Sequence, residues 1–78
     1  MSYPKSDGTK RPYRLWDASA KEQIRYRYYS DPKRAHMGAL IESRWSKPGT
    51  VIEVFNAEHG RLLGQYKRTV NSVVFSGA

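Results

Sequence analysis

The spacing of apolar positions changes along the chain, and each change predicts an element. Residues 1–14, MSYPKSDGTKRPYR, show neither a helical nor a strand period and are rich in Pro, Gly, Ser, Lys and Arg. They predict an extended or flexible basic arm, with Leu15 and Trp16 the first residues able to anchor it. From Ser19 onward, Ala20, Ile24 and Tyr28 recur at i, i+4 and i+8, which is one face of a helix. Ser19-Ala20-Lys21-Glu22 also matches a capping box, in which a serine hydroxyl and a glutamate satisfy the first free amides. Lys21, Arg25 and Tyr29 form a second stripe on another face, so a helix over about 19–29 is predicted with apolar and basic sides separated.

A restart follows at Ser30-Asp31-Pro32. Asp31 suits an N-cap, and Pro32 suits the first helical position, where its missing N–H would have been unpaired in any case. Met37, Leu40, Ile41, Arg44 and Trp45 then recur at helical spacing up to Lys47-Pro48-Gly49, a strong break. Beyond it the period falls to two. Thr50 to Phe55 reads as a strand, Asn56 to Gly60 as a turn, Arg61 to Val70 as the partner strand, and Val73-Val74-Phe75 as a short third strand after Asn71-Ser72.

The predicted fold is α+β, with two N-terminal helices packed on a small antiparallel sheet made of a hairpin and a third strand. One domain over 15–78 follows the arm at 1–14. The predicted core is Ile24, Tyr28, Met37, Leu40, Ile41 and Trp45 from the helices against Ile52, Val54, Leu62 and Tyr66 from the sheet. Because side chains alternate along a strand, Val51 and Phe55 face away from Ile52 and Val54. Both sheet faces therefore carry apolar residues, and the uncovered one is a candidate homodimer contact.

Size narrows the function. A chain of 78 residues buries about 60% of its unfolded surface, which leaves few large apolar residues for a deep substrate pocket. Cysteine is absent, which excludes disulfides, thiolate metal sites and a cysteine nucleophile, and favours a reducing compartment. The apolar runs are too short to span a bilayer and the N-terminus has no apolar signal core, so a cytoplasmic protein is expected.

Fourteen Lys and Arg oppose seven Asp and Glu, a net of +7. The excess is greatest early, where Lys5, Lys10, Arg11 and Arg14 face only Asp7. Such a surplus speeds encounters with polyanions and acidic surfaces without bearing on fold.

Chemistry-bearing patterns are missing. His36 and His59 have no companions at ligand spacing, and GxxxxGK[ST], GxGxxG and GxSxG do not occur. Neither catalysis nor a metal or cofactor is expected. The richest constellation is RYRYYSDPKRAH, Arg25 to His36, in which cations for phosphates interleave with tyrosines able to stack on bases. With the arm it yields a candidate binding surface of Lys10, Arg11, Arg14, Arg25, Arg27, Tyr29, Lys33 and Arg34. Arg61, Lys67 and Arg68 form a second candidate on the hairpin, where such residues also guard an edge strand against aggregation.

In its size, lack of cysteine and lack of catalytic motif, the chain resembles small phage-encoded inhibitors of the anti-CRISPR type. That resemblance implies binding to a host nucleic-acid-handling complex and steric blockade of its DNA site. The residues themselves support a small basic module acting on nucleic acid, or on an acidic surface of a nucleic-acid-handling protein complex.

Overall fold

The computed structural model describes residues 11–77. Its element order is β1 (Tyr13–Asp17), β2 (Glu22–Tyr29), α1 (Pro32–Arg44), β3 (Val51–Asn56), β4 (Arg61–Arg68) and β5 (Val73–Gly77). The strands form one antiparallel sheet in the order β2-β1-β3-β4-β5, and α1 lies across one face of it, touching all five. The domain therefore starts before Leu15: Tyr13 and Arg14, assigned to the arm, belong to β1, and the Pro12 carbonyl accepts from Ala57 N at 2.7 Å.

Two helices on a small sheet is thus wrong, because the first predicted helix is a turn followed by a strand. Asp17 Oδ1 accepts from the amides of Ser19 at 2.9 Å and Ala20 at 3.1 Å, closing a turn in which Lys21 takes a left-handed φ of 57°. The Ser19 hydroxyl accepts from Val51 N at 2.9 Å and donates to the Gly49 carbonyl at 3.3 Å. Its hydrogen bonds go to the start of β3 and not to a helix end. Past the turn, Arg25-Tyr26-Arg27-Tyr28 alternates with period two, and aromatic residues suit a pleated surface better than a helix. The strand is irregular: Leu15 stands opposite the whole of Ile24 to Arg27, between the Arg14↔Tyr28 and Trp16↔Gln23 pairs. That bulge is why apolar positions in β2 do not keep strict alternation.

The helix after Asp31 forms where its signals lie. Asp31 caps it, accepting from Lys33 N at 2.9 Å, Pro32 opens it, and Trp45 is its C-cap. Its buried side is not the predicted one. Ala35, Ala39 and Ser43, at i, i+4 and i+8, face the sheet, while Met37, Ile41 and Trp45 are 57%, 45% and 87% exposed. Small side chains let the helix approach the sheet closely, so the core is supplied mainly by strands: Leu15, Ile52, Val54 and Tyr66, with Ile24, Tyr29 and Leu40 at its margin. Tyr28 is exposed and Leu62 half-buried. On the opposite sheet face Trp16, Phe55 and Ala57 form a second buried cluster, while Tyr28 and Val74 remain exposed there.

The predicted C-terminal strands and their turns occur with small shifts of boundary. Gly49 and Gly60 take φ values of 95° and 64°, which glycine adopts without strain. Leu63 is an extra residue in β4 between the Val54↔Gly64 and Phe55↔Leu62 pairs.

Candidate binding surfaces

The proposed basic-aromatic set is dispersed by this fold. Lys10 lies outside the described residues. Arg11 is exposed just ahead of β1. Arg14 points to the sheet face away from α1, with its guanidinium carbon 4.5 Å from the centre of the Tyr28 ring. That stacking occupies a face of the tyrosine. Arg27 is joined to the helix, its Nε donating to Glu42 Oε1 at 2.9 Å and its Nη2 lying 2.8 Å from the same oxygen. Tyr29 is half-buried with its hydroxyl end against Gly38, where a Cβ would collide with it. Arg25, Lys33 and Arg34 stay exposed, and among the described residues no carboxylate pairs with them. RYRYYSDPKRAH is therefore an outer strand, a cap and a helix start. Arg25, Lys33 and Arg34 face solvent, Tyr29 is half-buried, and the exposed Tyr28 has one ring face covered by Arg14.

The hairpin set divides as strand alternation requires. Arg61 is exposed at the start of β4, and Lys67 is exposed on the face away from α1. Arg68 is half-buried on the helix side, with Nη1 donating to the carbonyls of Thr69 and Ser72.

The outward side of α1 went unrecognised as a surface. Met37 and Ile41 form a ridge one turn apart that Trp45 extends at the C-cap, and Lys33, Arg34 and Arg44 are exposed beside it. A cleft of about 300 Å³ opens at its N-terminal end between Asp31, Lys33, Arg34 and Met37. The first turn contains no acidic residue after the cap. Lys33 and Arg34 there oppose the helix dipole, at a cost of about 0.3–1 kcal/mol each in low salt. The signal that would have revealed the ridge is the Ala35, Ala39, Ser43 stripe, which marks the buried face by small size instead of hydrophobicity.

His36 has a structural position. Its Nδ1 is 2.9 Å from the Tyr66 hydroxyl, and its ring meets Tyr66 and Phe75 edge-on at centroid distances of 5.9 and 5.8 Å. Burial raises the Tyr66 pKa above the usual tyrosine value. Among the described residues no group of three or more His, Cys, Asp or Glu is arranged to hold a metal, and no helix is long and apolar enough to cross a membrane. No protein-family model, curated protein or solved structure matches this chain.

Proposed function

We propose that the protein is a non-enzymatic basic binding module of the cytoplasm that docks, through the outward side of α1, on an acidic protein surface of a nucleic-acid-handling complex. Occupying that surface, it would obstruct nucleic-acid access in the manner of small phage inhibitors. The observation that carries this reading is the exposed ridge of Met37, Ile41 and Trp45 bordered by Lys33, Arg34 and Arg44. An apolar ridge inside a cationic rim is complementary to an apolar groove edged by carboxylates, the helix-in-groove mode of recognition. Phosphates have no use for Met37 and Ile41. The inward Tyr29 and the paired Arg27 further weaken base stacking as the main source of affinity.

The test is affinity capture from lysate of cells that carry the gene, with and without nuclease, using wild type and Ile41→Asp. A protein partner should be retained after nuclease and lost with Ile41→Asp, since a central interface anchor is worth about 2 kcal/mol or more. Retention that nuclease abolishes and Ile41→Asp leaves unchanged would instead support direct nucleic-acid binding through Arg25, Lys33 and Arg34. That outcome would overturn the docking assignment.

A further inference from the structure

A second concavity lies on the other flank of α1, between the C-terminal half of the helix and the β4–β5 turn. It has a volume of about 380 Å³ and is lined by Leu40, Arg44, Arg68, Asn71, Ser72 and Val73. Two arginines line it, and no acidic residue is among its lining residues. The turn that forms one wall is fixed by its own hydrogen bonds. Thr69 N donates to the Ser72 carbonyl at 2.8 Å, and Ser72 N donates to Thr69 Oγ1 at 3.0 Å. Arg68 is held at both backbone ends by the β3 approach, donating to the Thr50 carbonyl and accepting from Gly49 N, each at 2.8 Å.

Clamping the turn explains one nitrogen of Arg68, the Nη1 that serves the Thr69 and Ser72 carbonyls. It does not explain the rest of the group. Arg68 Nε is buried and so shut off from the cavity, which leaves Nη2 as the uncommitted nitrogen of this group. Nor does it explain why Arg44 borders the same space. The negative end of the helix dipole, which would repel an anion, is partly quenched nearby. Trp45 N and Ser46 N donate to the Ile41 and Ser43 carbonyls, and the Ser46 hydroxyl donates to the Glu42 carbonyl.

We infer that this concavity is a binding site for a phosphate monoester, with Arg44 and Arg68 holding the phosphate, Asn71 and Ser72 offering polar contacts, and Leu40 and Val73 bordering the organic body. A phosphate monoester carries close to two charges near neutral pH and three acceptor oxygens. It matches two guanidiniums, whereas a carboxylate would neutralise one. Planar guanidinium forks suit tetrahedral oxyanions, and the volume exceeds what a bare anion needs. The site shares Arg44 with the rim of the docking surface but takes nothing from its apolar ridge, because neither Met37, Ile41 nor Trp45 lines it.

The experiment is an amide-resolved NMR titration of the whole chain with AMP, inorganic phosphate, acetate, and a dinucleotide with and without a 5′-phosphate. AMP should give saturable shifts confined to Arg44 and residues 68–73, inorganic phosphate should bind more weakly, and acetate should give none. Arg44→Gln should weaken AMP binding roughly tenfold or more, the loss of one charge-assisted pair, without moving the thermal transition. If the 5′-phosphorylated dinucleotide binds tighter than AMP, the natural source is a nucleic-acid end; if AMP binds at least as tightly, it is a free nucleotide. Non-saturating shifts shared with Arg25, Lys33 and Lys67 would overturn the site. So would unchanged affinity in both Arg44→Gln and Asn71→Ala. Inorganic phosphate or acetate binding as tightly as AMP would overturn the monoester assignment.

Discussion

Tyr66 ties the helix to the sheet through its hydrogen bond to His36, and its burial makes that tie sensitive to alkali. The raised pKa means that the unfolded chain releases this proton first, near pH 10. The stabilising contribution is therefore complete below that pH and falls as pH rises toward the higher folded value. Tyr66→Phe should cost about 0.5–1.5 kcal/mol at pH 7, with a deficit that shrinks above roughly pH 10. Urea denaturation of both proteins at pH 7 and pH 11 checks this, and a deficit unchanged with pH would contradict it. Gly38 makes a second prediction at this scale. Alanine normally favours a helix over glycine by about 1 kcal/mol, yet Gly38→Ala would drive a Cβ into the Tyr29 hydroxyl. A net loss of about 1–3 kcal/mol is expected from this overpacking. Adding Tyr29→Phe should recover part of it, which a double-mutant cycle would measure.

At the level of elements, α1 was legible in its ends and illegible in its orientation. Asp31-Pro32 and Lys47-Pro48-Gly49 act locally, so neighbouring residues suffice to bound the helix. The buried face depends on how near the sheet lies, which no local pattern records. Met37, Ile41 and Trp45 have the spacing of a core face, but Ala35 and Ala39, both fully buried, allow an approach that leaves the larger residues outside. Met37→Ser and Ile41→Ser should accordingly change stability by no more than about 0.5 kcal/mol. Leu15→Ala, at a fully buried position, should cost about 2–5 kcal/mol. Chemical denaturation of the three variants distinguishes the faces; a large loss at Ile41 would reverse them. β2 failed for a different reason. Its capping-box letters are satisfied by a tight turn and by hydrogen bonds from Ser19 to residues around Gly49, partners about thirty positions away that a local reading does not contain.

Over the whole molecule, charge told where cations are abundant but not which ones gather. Strand alternation sends Arg14 and Lys67 to one side of the sheet and Arg68 to the other, and the helix carries Lys33, Arg34 and Arg44 outward. The compositional expectation of a basic module stands as a proposal built on fewer residues than the sequence suggested. The cavity at Arg44 and Arg68 was not legible, because it joins a helix end to a turn beyond two further strands.

The strand order has a kinetic consequence. β3, β4 and β5 pair with their chain neighbours, as do β1 and β2, whereas the seam between the two groups joins Tyr13 to Asn56 and Asp17 to Ile52. Closing that seam requires ordering the intervening chain before any contact across it rewards the entropy lost. The C-terminal meander and the N-terminal hairpin should therefore behave as separable units. In native-state hydrogen exchange with increasing denaturant, the amides bonding β1 to β2 and to β3 should open at lower free energy than those bonding β3 to β4. A single isotherm for all of them would show instead that the sheet comes apart only as one.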